Sequence, residues 1–313
     1  MTAEPDLGPP AGLVAQLATS SWGRWLLGLL RWAVPLLLLA IIGRRLTQLG
    51  WRDIWIARPS NLGFYVLLVV QFFIQPWGDY LVYRNLWGAA FTPPMAVILR
   101  KRLLNTFMLD YSGEAFFYFW CLRHLKLTTS MLVHSIKDSN VLSGGAGLIM
   151  LYMMGLLLLA TGGLTWSSSL GGHGLLYGLA ASVPLVLCAL LIFGRRKFTA
   201  LSRAQIAVTF LIHLGRAALV LAVEFGLWEL SGALPSAVAC LQFVALRLVV
   251  TRLPLVPNKD LIFVGAGIAA AGLTKVSVTP VATILIILAA ADLVLAAGVA
   301  SFAWLLQPGR KEK

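Results

Sequence analysis

The chain has 313 residues, of which 59% are hydrophobic and only 12% are charged. Soluble domains are about 45–50% apolar and about 25% charged, so this composition excludes a water-soluble globule. It also excludes disordered and disulfide-scaffold proteins, because the apolar content is too high and only 3 cysteines are present. The net charge of +13 therefore indicates basic cytoplasmic loops and anionic lipid as a partner, and no nucleic acid.

Six segments come close to the roughly 20 apolar residues that a bilayer-crossing helix needs. In chain order they span residues 25–43, 62–83, 141–163, 175–194, 206–230 and 281–306. The first is expected to act as a signal-anchor, because the acidic, proline-rich start of the chain lacks the basic region of a cleavable signal peptide. One integral membrane domain is predicted, with a flexible N-terminal segment (1–23), a first half (24–194) and a second half (195–313).

Two further apolar stretches, residues 94–122 and 237–273, are interrupted by polar segments at 109–114 and 253–260. Each half is too short to cross a bilayer alone. Irregular backbone at membrane depth is tolerated only where it is buried in protein or lines a water-filled cavity, and a matched pair of breaks is typical of transporter sites. The alternative is two ordinary helical hairpins whose polar turns lie in water.

The predicted fold is therefore an all-α polytopic transmembrane bundle with about six full spans, two broken or re-entrant hairpins and an inverted repeat. Basic loops at 44–58, 123–137 and 195–203, and a basic C-terminus, are assigned to the cytoplasm by the positive-inside rule. Residues 164–174 and 231–236 contain no lysine or arginine and are assigned to the outside. We expect a multi-pass protein of a bacterial inner membrane with a cytoplasmic C-terminus.

Several catalytic signatures are absent from the sequence. It contains no phosphate-binding loop, no zinc-protease helix motif, no hydrolase nucleophile elbow and no Cys/His pairing at metal-binding spacing. We accordingly expect no catalytic residue, no metal and no cofactor. The three cysteines lie in apolar stretches and are interpreted as small buried hydrophobic residues.

An ionisable side chain at membrane depth costs about 2.5–3.5 kcal/mol to insert, so each one is a functional candidate. Asp110 and Glu114 are the sharpest pair, because they flank a Ser-Gly step inside an aromatic-rich apolar segment. They are predicted to contact substrate, with Arg84 or the basic residues 100–102 as charge partners. Alternatively, Glu114 only complements the dipole at the start of a helix.

The second break carries Lys259 and Asp260 behind two prolines that prevent a continuous helix. Arg252 precedes the break, and Arg247 lies one or two helical turns further back. The planar guanidinium group of arginine binds oxyanions through two hydrogen bonds, so an anionic lipid head group is the predicted ligand. A turn exposed to water is the alternative.

Three more charges fall inside predicted spans: Arg216, Glu224 and Asp292. Arg216 and Glu224 lie about two helical turns apart, on roughly one face, and are predicted to pair with groups on neighbouring helices. The three charges are interpreted either as ion-coupling groups or as purely structural intramembrane charges. Asp79 follows a Trp-Gly step and is interpreted as lying at the membrane interface.

Three sequence elements stand in a recognisable order. They are Tyr83-Arg84-Asn85-Leu86-Trp87, the stretch 105–114 that ends in Gly113-Glu114, and Pro254-Leu255-Val256-Pro257-Asn258-Lys259. With them, the chain from about residue 25 to 306 resembles the membrane region of the lysylphosphatidylglycerol synthase/flippase family, in its stand-alone form without the aminoacyl-transferase domain. Asp110 stands where that family usually has proline, and Asn258 and Lys259 replace two glycines. The resemblance implies two inverted, hairpin-bearing halves and a lipid-linked function.

We therefore predict a lipid transporter or flippase-like protein that moves an anionic phospholipid or an isoprenoid-type lipid between leaflets. The predicted head-group site comprises six residues: Arg84, Asp110, Glu114, Arg252, Lys259 and Asp260. Without an ATPase motif, transport is expected to be downhill or coupled to an ion. The alternatives are a membrane-embedded transferase that modifies a lipid head group and a non-catalytic membrane partner subunit. We also expect a homo-oligomer or a partner membrane protein.

Overall fold

The computed structural model describes residues 51–107, 111–163, 201–252, 259–273 and 276–305. Throughout these ranges the chain forms helices and connecting turns without a strand, which confirms the all-helical prediction. The helices are α1 (Trp51–Ile56), α2 (Leu62–Trp87), α3 (Met95–Phe107), α4 (Ser112–His124), α5 (Thr129–Ala160), α6 (Arg203–Ser231), α7 (Ala237–Thr251), α8 (Lys259–Leu273) and α9 (Val278–Leu305). The predicted spans at 25–43 and 175–194, together with Asp110, fall outside the described residues.

In the part of the chain that the structure describes, three helices are long and apolar enough to cross a membrane: α2, α5 and α6. They overlap the spans predicted at 62–83, 141–163 and 206–230. α7 and the first part of α9, Val278–Asp292, are apolar but shorter. Within the described residues, the structure therefore supports a membrane protein with three candidate spans.

Local sequence signals explain where α6 begins and ends. The Ser202 hydroxyl accepts a hydrogen bond from the Gln205 amide, and the Gln205 side chain accepts one from the Ser202 amide. This reciprocal capping satisfies two donors that the start of a helix leaves unpaired. Gly232 ends the helix at a φ of 63°, a left-handed conformation that glycine adopts without a steric penalty.

α5 begins at Thr129, well before the span predicted to start at residue 141. The prediction that Lys137 lies in a loop before this span is therefore wrong. Thr128 caps the helix, and two of the polar residues that suggested a loop, Ser135 and Ser139, contact other helices. Ser139 is buried, with its hydroxyl 3.2 Å from His213 Nε2 of α6. Pairing across the bundle thus lets a polar stretch continue as helix.

Among the described residues, two large apolar cores and a small one around Phe72 and Leu99 hold the bundle together. The largest joins α2 and α5 to α6, α7, α8 and α9, and Trp228 lies fully buried in it. The second joins the end of α2 to α3, α4 and α5 and is rich in aromatic rings, with the Tyr83 and Phe117 ring centroids 4.6 Å apart. Cys121 and Cys240 are buried in these cores, as small hydrophobic residues would be.

The three long helices do not all run in the same direction. Near the end of α2, Trp87 donates to Ser135 in the early part of α5, at 3.1 Å. Two residues earlier, Asn85 donates to Thr209 in the early part of α6, also at 3.1 Å. α5 and α6 therefore both start beside the end of α2.

α3 and α4 form the first pair of half-helices, with 13 residues each. At 1.5 Å per residue each is about 20 Å long, shorter than the roughly 30 Å of a bilayer core. The pair packs together and flanks the first predicted break. α3 begins beside the end of α2, where Arg84 donates to the Phe91 carbonyl, and reaches the middle of α2 where Arg102 donates to the Phe72 carbonyl.

α7 and α8 form the second pair, with 15 residues each, and flank the second predicted break. Near the start of α7, Gln242 donates to the Gly163 carbonyl just beyond the end of α5, at 2.7 Å. Arg252, directly after α7, packs against Gly147, about halfway along α5. The second pair therefore enters the bundle from the end of α5, whereas the first enters from the end of α2, which is the opposite end of the bundle.

Candidate functional site

A buried carboxylate on α2, Asp79, binds two cations from other helices. Lys101 of α3 places its Nζ 2.5 Å from Oδ2, and Arg216 of α6 places its Nη1 2.6 Å from Oδ1. The other terminal nitrogen of Arg216 donates to the Ser143 hydroxyl of α5 at 3.0 Å. Asp79 therefore connects α2 to α3 and α6 directly, and to α5 through Arg216.

Small and aromatic neighbours fix the two cations in place. A methyl group on Gly78 would collide with the side chain of Arg216, so the absence of a side chain at residue 78 lets the arginine reach Asp79. The Nζ of Lys101 lies 5.3 Å from the ring centroid of Tyr83 and 5.7 Å from that of Phe117. Aromatic faces stabilise a nearby cation electrostatically, which offsets part of the cost of burying the ammonium group.

Glu114, in the first turn of α4, is the second carboxylate beside Lys101, with its Oε1 3.4 Å from Nζ. Its other oxygen, Oε2, is buried and has no hydrogen-bond partner among the described residues. Close contact between α3 and α4 sets this position. The Gly113 amide donates to the Asn105 side chain at 2.6 Å, and a methyl group on Gly113 would collide with the Lys101 carbonyl.

The second half-helix pair, α7 and α8, has a similar group in which one cation, Arg247, lies between two carboxylates. Arg247 of α7 lies 3.7 Å from Glu224 of α6 and 3.4 Å from Asp260 in the first turn of α8. Glu224 is only 2% exposed, and its Oε1 makes no hydrogen bond within the described residues. The Arg247 guanidinium also lies over the Phe263 ring, 5.4 Å from its centroid.

The two groups have the same plan, and we call them the first triad (Asp79, Lys101, Glu114) and the second triad (Glu224, Arg247, Asp260). In each, a long helix gives a buried carboxylate and the first half-helix gives the cation. The second half-helix gives another carboxylate, from its first turn. Each triad therefore joins the two half-helices of one pair to each other and to a long helix.

Arg102, next to Lys101 on α3, has a different partner. Its Nη2 lies 3.0 Å from Asp292 of α9, and its guanidinium lies over the Phe72 ring, 4.3 Å from the centroid. Lys101 and Arg102 thus join α3 to different parts of the bundle.

Arg252 lies beside the first triad, and no carboxylate in the described parts of the chain forms an ion pair with it. Its guanidinium occupies the space that a side chain on Gly147 would fill. Ser143, which accepts the hydrogen bond from Arg216, lies one turn before Gly147 on the same face of α5. Two guanidinium groups therefore lie against one short stretch of α5.

The structure brings some of the sequence-predicted residues together and separates others. Glu114 and Asp260 join different triads, and Arg216, Glu224 and Asp292 each pair with a group on another helix. Lys259 is half-buried at the start of α8, beside Asp260. Arg84 is exposed and donates to the Phe91 carbonyl at 3.2 Å, and no ion pair joins it to Glu114 among the described residues.

Sequence reasoning missed the central role of Asp79. The interpretation of Asp79 as an interfacial residue did not anticipate that its side chain is buried between helices and paired with two cations. Two features of the sequence pointed to a buried polar site at Asp79. Gln71 and Gln75 precede it in a largely apolar segment, and the adjacent glycine leaves room for a large partner.

Comparison with known proteins gives no relative: no family model, no curated protein and no solved structure matches this chain.

Proposed function

We propose that this protein is a membrane transporter that moves an anionic lipid between the two leaflets, and that α2–α5 and α6–α9 form an inverted repeat. The single observation that supports both parts best is the pair of matching triads. Each triad lies at the inner end of a half-helix pair, and the two pairs enter the bundle from opposite ends.

Helices that stop inside a bundle are a feature of secondary transporters, whose substrate sites lie where two inverted repeats meet. Backbone groups at such a stop are tolerated only inside protein or beside water. Charges there are expensive as well, at about 2.5–3.5 kcal/mol each on insertion scales, so two triads are hard to explain in a bundle that serves only as an anchor. The arrangement favours a polar pathway between the half-helix pairs.

A lipid is the substrate class that the surroundings of this pathway favour. The long helices expose large apolar side chains, including Val66 and Leu81 on α2, Leu156 on α5 and Leu211 on α6, which suit contact with acyl chains. A head group could then occupy the polar region while its tails remain in the bilayer. The resemblance to a lipid flippase family supports the same substrate class, and the inner membrane with a cytoplasmic C-terminus is the proposed location.

Transport by the purified full-length protein can be measured in liposomes that contain a trace of fluorescent phosphatidylglycerol. A membrane-impermeant quencher added outside reports how fast the inner leaflet exchanges. Glu114→Gln and Asp260→Asn test one carboxylate of each triad, and Glu229→Gln is the matched control, since Glu229 is exposed on α6. We expect each triad variant to lower the rate by about tenfold or more, equivalent to about 1.4 kcal/mol at the barrier, and the control to leave it unchanged.

If the wild-type protein exchanges the lipid no faster than protein-free liposomes do, the proposal is overturned. Rates equal to the wild type for both triad variants would overturn the proposed site. Mass spectrometry of the recovered lipid checks the alternative activity, because a head-group transferase would leave a lipid of altered mass whereas a transporter would not.

A further inference from the structure

The two half-helix pairs differ in whether an arginine that follows the triad cation has a carboxylate partner; this arginine is Arg102, one residue after Lys101, in the first pair and Arg252, five residues after Arg247, in the second. On α3, Arg102 pairs with the Asp292 carboxylate of α9 at 3.0 Å. After α7, Arg252 packs against the Ser143–Gly147 region of α5, which contains no carboxylate. Under the proposed inverted repeat, α9 and α5 are equivalent helices. α9 thus supplies a carboxylate to Arg102, whereas the stretch of α5 that contacts Arg252 supplies none.

We propose that Arg252, together with Arg216 and Ser143, binds the phosphate of a glycerophospholipid head group. This inference rests on the proposed transport function and assigns the chemistry of its substrate. The phosphate would take the place on α5 that corresponds to Asp292 on α9.

The charge balance of the region supports an anion. Lys101, Arg216 and Arg252 bring three positive charges, whereas Asp79 and Glu114 bring two negative ones. Arg216 and Arg252 lie one helical turn apart against α5, at Ser143 and Gly147, and two like charges near one another in a medium of low dielectric constant are unfavourable. A bound phosphate would remove this repulsion.

The geometry suits a phosphate in particular. A guanidinium is a planar fork that binds two oxygens of an oxyanion at once. Glycine at 147 lets the Arg252 fork lie directly on the helix backbone, where any larger residue would displace it. The Ser143 hydroxyl accepts from Arg216, which leaves its own hydrogen available to donate to a phosphate oxygen.

The site is also accessible without breaking a triad. Asp79 and Lys101 are buried, whereas Arg252 is exposed in the described structure. Arg252 directly precedes the second break, between the half-helices α7 and α8.

The test measures binding of short-chain phosphatidylglycerol to the full-length protein in detergent, by native mass spectrometry and by thermal stabilisation. Short-chain diacylglycerol, which lacks the phosphate, and inorganic phosphate, which lacks the lipid, are the comparison ligands. The variants are Arg252→Gln and Gly147→Ala, because the added methyl group would push Arg252 off α5. Gly144→Ala is the matched control, since a methyl group there meets open space. Arg252→Lys keeps the charge and loses the fork.

We expect the dissociation constant for phosphatidylglycerol to rise about tenfold or more in Arg252→Gln and Gly147→Ala, because a charged, bidentate contact is lost. Gly144→Ala should bind like the wild type, and Arg252→Lys should fall between. Unchanged binding in Arg252→Gln would overturn the proposal, as would equal affinity for diacylglycerol. If inorganic phosphate competes as strongly as phosphatidylglycerol does, the site binds free phosphate, and the assignment of a lipid ligand is overturned. Far-ultraviolet circular dichroism of each variant distinguishes lost binding from lost folding, and Arg252→Lys serves where Arg252→Gln fails to fold.

Binding and transport can fail separately. Phosphatidylglycerol binding that depends on Arg252, without transport by the wild type, would support this site and refute the proposed function. Transport by the wild type that is unaffected in Arg252→Gln would do the reverse.

Discussion

The side chain of Arg216 lies directly against Gly78, and its guanidinium binds the carboxylate of the next residue, Asp79. A contact this close between two helices depends on the absence of a side chain at residue 78. The ion pair between α2 and α6 is therefore sensitive to a single methyl group that carries no charge.

We expect Gly78→Ala to lower the free energy of unfolding by about 3–5 kcal/mol, because it displaces Arg216 and leaves buried charges without their partner. Gly215→Ala, one residue before Arg216, is the control, since a methyl group there meets open space. Unfolding in a mixed-micelle SDS titration, followed by tryptophan fluorescence, measures both. Equal stability of the two variants would contradict the role assigned to Gly78.

Asp79→Asn should destabilise the protein more than Glu114→Gln does. Asp79 neutralises both Lys101 and Arg216, so its replacement leaves two buried cations poorly paired, at a cost of about 3–5 kcal/mol. Glu114 contacts Lys101 at the longer distance of 3.4 Å, and Lys101 keeps Asp79 when Glu114 is changed. The same SDS titration gives the order of the two effects, and the reverse order would show that Glu114 is the main partner of Lys101.

The Arg102–Asp292 pair should show a measurable coupling energy in a double-mutant cycle of Arg102→Gln and Asp292→Asn. Both side chains are mostly buried, so we expect a coupling of about 1–3 kcal/mol. The Lys137–Asp138 pair has a similar distance of 3.0 Å, but the lysine side chain is 46% exposed. Its cycle should give less than about 1 kcal/mol, as solvent-screened pairs do. A coupling for Arg102 and Asp292 as small as that of a solvent-screened pair would mean that this pair does not hold α9 to α3.

The placement of α7 along α5 can be tested by cross-linking. A methyl group on Gly163 would lie 2.8 Å from a side-chain carbon of Val238, so cysteines at these two positions are close enough for a disulfide. In a background without Cys121, Cys188 and Cys240, we expect Gly163→Cys with Val238→Cys to form an intramolecular disulfide on mild oxidation. The control pair, Gly155→Cys with Val238→Cys, should form no disulfide. A cross-link in the control pair and none in the first pair would place α7 differently along α5. A mobility shift on non-reducing gels reports both.

Sequence alone predicts those parts of the fold that depend on local signals. The predicted span at 206–230 differs from α6 by only a few residues, because an apolar run is bounded by a capping box at Ser202 and by Gly232. α5 is longer than predicted, and two of the polar residues before residue 141, Ser135 and Ser139, form hydrogen bonds with α2 and α6. Those partners are distant in sequence, so no local pattern reveals them.

The same reason explains which site residues could be predicted. Arg216 and Glu224 stand out as charges in an apolar helix, and pairing with other helices could be anticipated from the cost of leaving them alone. Asp79 lies close enough to the predicted end of its span to pass for an interfacial residue. Its true setting depends on Lys101 and Arg216, which are 22 and 137 residues away. The matching of the two triads is visible only in three dimensions.

These separations also determine the order in which the Asp79 contacts can form during synthesis. A chain is made from its N-terminus, so α2 and α3 exist long before α6. Lys101 is therefore the first cation available to Asp79, and the α3 hairpin can compensate the carboxylate while the second half of the protein is still on the ribosome. Arg216 would complete the contact only when α6 arrives, so loss of Lys101 should impair insertion of the first half more than loss of Arg216 does.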